Sequence, residues 1–140
     1  MKKLFVLIIS FYFIGFAQTD SNTVKVNSAI ENLFAVSKKS DFREACGLIV
    51  YIGGETTKNY NAKLNSNNEA DLQRAERLVK KIRAYLDISD TYDILGNKTV
   101  SKKDQEFVAV DVAFKSGNQI LKMQFQFSNV NGELLLADIE

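Results

Sequence analysis

The sequence predicts an α+β domain in which N-terminal helices pack on one face of a curved antiparallel sheet, forming a cone-shaped roll. Apolar side chains recur at helical spacing in residues 24–52 and again in residues 69–89. From Thr91 to the end of the chain the apolar period changes to two, as in strands. No internal repeat or composition change marks a boundary, so we expect residues 18–140 to form a single domain.

Residues 1–17 have the pattern of a signal peptide. Two lysines precede an apolar run over residues 4–17, which ends in Gly-Phe-Ala. This run is shorter than the roughly 20 residues that span a bilayer and fits the roughly 7 to 15 residues of a signal peptide core. We predict cleavage after Ala17, export to a periplasm or to the exterior, and no stable membrane insertion afterwards. An uncleaved anchor is the alternative.

The composition excludes several classes of function. The chain has no histidine, which removes Ser-His-Asp and Cys-His catalysis and the commonest metal ligand. We therefore expect no metal and no cofactor. Without Lys2 and Lys3 the net charge is about −1, which does not fit a nucleic-acid partner. Cys46 is the only cysteine; it lies on an apolar stripe and is expected to be a buried, inert thiol.

Three helices are predicted. The first covers residues 24–39, with Ser28 and Glu31 as a capping box. The second starts behind Ser40 and ends at the glycines of residues 53–54; its apolar stripe holds Phe42, Ala45, Cys46, Ile49 and Val50. After a polar loop with room for a short edge strand at residues 58–64, the third helix covers residues 69–89 behind Asn68. Its basic face is expected to be solvated; it carries Arg74, Arg77, Lys80, Lys81 and Arg83.

Strands follow from Thr91. Residues 91–100 hold one strand or a broken pair, with two registers open: Lys98 beside Asp111, or Val100 opposite Val108. Three strands come next, at residues 106–115, 119–127 and 133–139.

Turn chemistry predicts how the last three strands pair. A two-residue turn at residues 117–118 pairs Phe114 with Leu121 and, further along, Val108 with Phe127. For the second hairpin, a two-residue turn at residues 131–132 would set Phe125 opposite Asp138. A three-residue loop at residues 130–132 is favoured, because it pairs Phe125 with Ala137, Phe127 with Leu135 and Met123 with Ile139, all apolar.

This register turns Asp111 away from the helices. The same outward face is half apolar, and a mixed patch over three strands indicates covering by another chain. We therefore predict a homodimer through the sheet, with an interface that includes Phe107, Ala109, Ile120, Leu134 and Leu136.

The stretch FVAVDVAFKSGNQILKMQFQF and the ending NGELLLADIE resemble the nuclear transport factor 2-like superfamily, a cystatin-like cone. The chain looks most like its small exported bacterial members, whose last strand reads Gly-x-x-x-Leu-x-Asp-Ile; these are Gly132, Leu136, Asp138 and Ile139 here. The resemblance implies a curved sheet around long helices, a cavity between them and dimerisation through sheets. Enzymes of that superfamily place Asp, His or Tyr in the cavity, whereas the inner positions assigned here are apolar.

We therefore predict a non-catalytic binding module for a small, mainly apolar ligand or a protein partner. The polar groups expected at the cavity mouth are Tyr51, Tyr60, Tyr92 and Asp93. One alternative is an isomerase, dehydratase or hydrolase that uses Asp93 with Tyr92 or Tyr60. The other is a structural or assembly protein.

Overall fold

The computed structural model describes residues 21–53 and 60–140. The predicted signal peptide and its cleavage point lie outside these residues. The described elements are α1 (Ser21–Lys39), α2 (Phe42–Cys46), β1 (Val50–Tyr51), β2 (Ala62–Lys63), α3 (Glu69–Asp87), β3 (Thr91–Lys102), β4 (Gln105–Ser116), β5 (Gln119–Val130) and β6 (Glu133–Ile139). Within the described ranges, no helix has both the length and the apolar character needed to cross a bilayer.

The two long helices form where their apolar periodicity predicts them. In α3, the Asn68 side chain accepts a hydrogen bond from the Asp71 N–H at 3.1 Å, as expected of the N-cap. In α1, Val26, Ile30, Leu33 and Phe34 are all buried. The predicted capping box was wrong, however, because Ser28 lies inside α1 rather than at its start.

The second helix is much shorter than predicted. It ends at Cys46, and Val50 belongs to β1. Its N-cap is Asp41, whose carboxylate accepts from the Glu44 N–H at 3.0 Å. Ser40 cannot take that role, because its backbone is left-handed at φ 55°. The apolar run at residues 48–52 gains more as a strand, since Ile49 bridges to the last strand of the sheet.

The main sheet has the strand order β3-β4-β5-β6 and is antiparallel throughout. The parallel bridge between Ile49 and Leu136 places the β1–β2 hairpin beside β6. With helices on one face of an antiparallel sheet, the α+β prediction is confirmed. The β4–β5 register is also as predicted, with Phe114 opposite Leu121 and Val108 opposite Phe127.

β3 is one continuous edge strand rather than a broken pair. A bulge between Ile94 and Gly96 shifts its register, so that Gly96 lies opposite Asp111. Lys98 then pairs with Ala109, and Val100 pairs with Phe107. Neither of the two registers considered from the sequence occurs, because a two-residue turn at Lys103 and Asp104, both with positive φ, sets Lys102 opposite Gln105.

The predicted β5–β6 register was wrong. Val130 pairs with Glu133 across a two-residue turn in which Asn131 and Gly132 both have positive φ, 53° and 87°. Further along, Phe127 pairs with Leu136 but Gln126 pairs with Asp138, so Ala137 is an extra residue in a bulge. The bulge restores an apolar pair, Phe125 with Ile139, that the turn alone would have lost.

This change of register turns part of β6 over. Leu134 and Leu136 pack into the core between the helices and the sheet, called the helix-side core below. Leu135 and Ala137 lie on the opposite face of the sheet. Two residues of the predicted dimer patch, Leu134 and Leu136, are therefore not on the outward face. Homodimerisation itself stays a prediction.

The helix-side core is filled by aromatic rings. Phe34 of α1 lies 4.9 Å from Tyr92, 5.5 Å from Phe125 and 5.7 Å from Phe114, measured between ring centroids. Tyr85 of α3 packs on Phe114 at 5.5 Å. Offset and edge-to-face contacts of this kind add to the free energy of burial. The space in which the superfamily resemblance implies a cavity thus holds a packed ring cluster.

Cys46 also belongs to the helix-side core. It is buried, and its thiol donates to the Phe42 carbonyl at 3.3 Å. Burial raises the pKa of the thiol, and the Asp71 carboxylate raises it further. A thiol held in its protonated form is a poor nucleophile, as expected from its place on an apolar stripe.

Candidate functional site

The sheet face opposite α1 and α3, called the second face below, carries a small core of its own. Its buried residues are Val50, Phe107, Val130, Leu135 and Ala137. Three half-buried side chains surround them: Ile52, Tyr60 and Val100. The Tyr60 ring meets Phe107 edge-on, with 5.1 Å between the ring centroids. The second face is therefore covered over this area by the chain itself.

The sheet bends toward the second face. At one end of β4, Gln105 pairs with Lys102 of β3. Six residues further along β4, Asp111 pairs with Gln124 of β5, and Gln124 in turn is hydrogen-bonded to Glu140 at the end of the chain. In a flat sheet, this offset and three strand spacings would separate Lys102 and Glu140 by more than 20 Å. Their side chains nevertheless form an ion pair. The end of the β3–β4 hairpin must therefore curl over, which makes the second face concave.

Two polar side chains of β5 are enclosed on this concave face. Gln126 is 3% exposed and Ser128 is 0% exposed. Neither Gln126 Nε2 nor Ser128 Oγ makes a hydrogen bond of acceptable geometry to any described residue. Gln126 lies between Ala109 and Asp138, and Ser128 lies opposite Leu135. Buried polar groups normally have partners, so two unpaired ones on adjacent positions of one face are unusual.

Arg74 of α3 reaches the edge of the same area. Its Nη2 donates to the Ala137 carbonyl, which the bulge leaves available, at 2.9 Å. Its Nε is buried and lacks a partner among the described residues. Burial lowers the pKa of the guanidinium, while the Asp138 carboxylate acts in the opposite direction. An arginine stays protonated in proteins even so, which means that a cation lies at the edge of the second face.

Charges around the second face are largely balanced. Arg74 lies near Asp138, and Lys102 is paired with Glu140. The hydrogen bond from Lys102 is the main cause of the lowered pKa of Glu140. The Gln126 amide also lowers the pKa of Glu140, but to a smaller extent, because its geometry falls short of a regular hydrogen bond. The concave area therefore combines an apolar lining, unpaired hydrogen-bonding atoms and little net charge.

The basic face of α3 is only partly solvated, contrary to the prediction. Arg74 binds the Ala137 carbonyl, and Lys81 donates to the Ile139 carbonyl at 3.0 Å. Both carbonyls belong to β6, where the sheet edge extends beyond the bridge between Leu136 and Ile49. Two basic residues thus hold β6 against α3, because they supply donors to backbone groups at that edge.

The structure does not bring the four predicted ligand-binding residues together. Tyr60 lies on the second face, but Tyr51 is exposed on β1. Tyr92 packs with Phe34 in the helix-side core. Asp93 points to the other side of β3, where its exposed carboxylate forms an ion pair with Lys115. The pairing of Asp93 with Tyr92 or Tyr60 that the enzyme alternative needs is therefore not present.

The predicted dimer residues that do face outward are mostly covered. Phe107 is 5% exposed and Ala109 is 1% exposed, while Ile120 remains 59% exposed. Asp111 faces away from the helices, as predicted, and accepts a hydrogen bond from the Gln124 amide at 2.9 Å. Its carboxylate therefore has a neighbour on the sheet surface and is not the acid of a pocket beneath the helices.

An open cleft of about 460 Å³ lies between the end of α3 and the end of the sheet that carries the β4–β5 turn. Its lining includes Ile88 and Ser89 from the end of α3, Phe114 and Ser116 from β4, and Ile120 and Leu121 from β5. Ile88 is 64% exposed there. Within the part of the chain that the structure describes, no group of three side chains is placed to hold a metal ion.

Sequence reasoning missed Gln126, Ser128 and Arg74. Alternation along β5 predicted that Gln126 faces away from the helices, which is correct, but not that it is enclosed. A signal was nevertheless present, because Gln126 pairs with Ala109 of β4, and Phe107 lies on the same face two residues from Ala109. Polar side chains beside apolar cross-strand neighbours indicate a covered surface rather than a solvated one.

A scan against protein-family models finds no match, and a search of curated proteins finds none either. Among solved structures, the chain is similar to a designed nuclear transport factor 2-like protein. The two are 13% identical in sequence, the match covers 86% of this chain and 98% of the other, and the TM-score is 0.46. At this identity and score the match places the chain in no family.

Proposed function

We propose that the chain is an exported, non-catalytic binding domain whose small, mainly apolar ligand binds on the second face. The observation that supports this proposal is the pair of enclosed, unpaired polar atoms, Gln126 Nε2 and Ser128 Oγ, beside the apolar core of the second face. Ligand sites are typically apolar with a few well-placed polar groups that orient the ligand. Export rests on the signal-peptide pattern of residues 1–17.

The energetic argument concerns the cost of leaving these atoms unpaired. A buried donor without a partner destabilises a fold by roughly 1–3 kcal/mol. An alanine or leucine at the same positions would avoid that cost. A ligand that supplies the missing hydrogen-bond partner offsets it, so the polar side chains are useful in the bound state and unfavourable in the free state.

A screen of small, rule-of-three fragments by saturation-transfer NMR tests the location of the site. The matched variants are Gln126→Leu on the second face and Gln119→Leu, which makes the same substitution at the open cleft. We expect fragments to bind the wild type and Gln119→Leu, and to bind Gln126→Leu more weakly. A screen without binders, or binders that lose affinity only in Gln119→Leu, would overturn the proposal.

Export has a separate test. Intact-mass spectrometry of the protein recovered from periplasmic and culture fractions should show a chain that starts at Gln18. A protein that is absent from both fractions and keeps Met1 would contradict the export part of the proposal without affecting the binding part.

A protein partner at the open cleft is the second candidate, because Ile88, Ile120 and Leu121 remain exposed around it. Exposed apolar residues that are grouped in this way often mark interfaces. Sedimentation velocity over a wide concentration range, with the wild type and Ile120→Asp, tests a second copy as the partner. A monomer at all concentrations for both proteins would remove that partner.

A further inference from the structure

We propose that the open edge of β5 binds an extended peptide in which an acidic residue is flanked by apolar residues. This inference rests on the second candidate of the proposed function, a protein partner at the open cleft, and is independent of a second-face ligand. β5 begins at Gln119, but its pairing with the end of the chain runs only from Val130 to Gln124. Residues 119–123 therefore have β4 on one side and no described strand on the other.

The main-chain groups at this edge follow from the alternation of an antiparallel ladder. Gln124 exchanges two backbone hydrogen bonds with Glu140, at 2.8 Å and 2.9 Å. Groups that point to the same side recur at every second residue, so the N–H and C=O of Lys122 and of Ile120 point to that side as well. No described strand bonds them there. An added peptide strand supplies donors and acceptors at the required spacing.

The open cleft lies beside this edge, on the helix side. Leu121 pairs with Phe114, whose ring packs on Phe34 in the helix-side core, so Leu121 faces the helices. A peptide residue opposite Leu121 points to the same face, because paired residues of a ladder share a face. It enters the cleft that the exposed Ile88 and Ile120 border. An apolar side chain is favoured at this peptide position, because it is removed from water on contact.

The charge at the edge selects an acidic residue at the neighbouring peptide position. Lys122 follows Leu121, so its side chain lies on the other face of the sheet. It is exposed and forms no ion pair with any described residue. A glutamate opposite Lys122 stabilises the pairing, whereas a like charge destabilises it. A second copy that paired antiparallel through the same edge would put its own Lys122 on that face, so the edge fits an acidic peptide better.

Two capped peptides test this inference: Val-Glu-Val-Val and Val-Lys-Val-Val, each with an acetyl and an amide end. In the antiparallel register, their second residue lies opposite Lys122 and their third lies opposite Leu121. We expect the glutamate peptide to bind the wild type about three- to tenfold more tightly than the lysine peptide. NMR titrations of the protein amide signals give the dissociation constants, and the largest shifts should fall on residues 119–123.

Two variants test whether Lys122 causes the preference. Lys122→Glu should reverse it, because the like-charged and opposite-charged pairs are exchanged. Lys98→Glu is the matched control, since Lys98 is also exposed and without an ion pair to any described residue, but lies on β3, the other open edge. It should keep the preference of the wild type. Circular dichroism verifies that both variants are folded.

N-methylated peptides separate strand addition from contact through side chains alone. In the antiparallel register, the N–H of the peptide glutamate donates to the Lys122 carbonyl, whereas the N–H of the next valine points to solvent. Methylation of the glutamate nitrogen should therefore weaken binding at least about tenfold. Methylation of the valine nitrogen should change the dissociation constant by less than about twofold, because no hydrogen bond to the protein is lost.

The outcomes separate this inference from the proposed function. If no peptide binds, the inference fails, while the fragment screen with Gln126→Leu tests the second-face ligand independently. Equal binding of the two peptides, a preference that reverses in Lys98→Glu, or equal effects of the two methyl groups would also overturn it. If the wild type self-associates in sedimentation velocity and Ile120→Asp stays monomeric, the partner is a second copy. The acidic peptide is then wrong, although the second candidate stands.

Discussion

Replacing Ser128 with alanine should make the protein more stable. Ser128 is 0% exposed, and its hydroxyl has no partner among the described residues. Removing an unpaired buried hydroxyl relieves a cost of roughly 1–3 kcal/mol, from which a few tenths are lost as packing contacts of the oxygen. We therefore expect the free energy of unfolding to rise by about 1 to 2 kcal/mol.

The matched comparison is Ser37→Ala. Ser37 is also 0% exposed, but its hydroxyl donates to the Leu33 carbonyl at 2.7 Å. Losing that bond costs about 1 kcal/mol, and the better helix propensity of alanine returns about 0.5 kcal/mol. This variant should therefore be slightly less stable than the wild type. Two buried serines, one bonded and one not, are thus expected to respond with opposite signs.

Urea denaturation followed by circular dichroism measures both changes. With a slope of about 1.5 to 2 kcal/mol per molar urea, typical of a domain of this size, the midpoint of Ser128→Ala should rise by roughly 0.5 to 1.3 M. If Ser128→Ala instead loses as much stability as Ser37→Ala, the hydroxyl has a partner in solution, and the reasoning about an unpaired atom is wrong.

Further expectations concern β6 and the thiol. Leu136→Ala should lower the free energy of unfolding by about 2–5 kcal/mol, because Leu136 faces the helices. A loss under about 1 kcal/mol would instead indicate that Leu136 faces outward, as predicted from the sequence. Because burial raises the pKa of Cys46, its contribution to stability is complete below the unfolded thiol pKa of about 8.5 and is lost as the pH rises through the higher folded value. The native thiol should accordingly resist disulfide reagents at pH 8 until urea unfolds the chain, and rapid labelling without urea would contradict this.

Local signals explain which parts of the fold could be predicted. α3 was predictable because its cap at Asn68 and its apolar stripe lie within one segment. The β4–β5 pairing followed from the turn at residues 117–118, since a hairpin register depends on its own loop. The short α2 was not predictable in this way: the apolar residues after Cys46 fit a helix as well as a strand, and the bridge from Ile49 to Leu136 decides between them.

The bulge at Ala137 explains both the wrong register and the missed site. Pairing rules assign one residue to one residue, so they cannot show where an extra residue enters a strand. Here its carbonyl is bonded by Arg74, which is 63 positions away in the chain. Gln126 and Ser128 read as the solvated half of an alternating strand; they become enclosed because the sheet curls, and curvature of this kind depends on contacts between distant segments.

The bulge in β3 has a consequence for solubility. β3 lies at the margin of the main sheet over twelve residues, and an edge of that length offers main-chain groups on which another molecule can add a strand. The irregularity between Ile94 and Gly96 interrupts the regular spacing of those groups, and the charged side chains of Asp93, Lys98 and Lys102 flank it. The interruption and the charges together oppose stacking of one molecule on the next, which protects the longest open strand of the sheet from fibril-like growth.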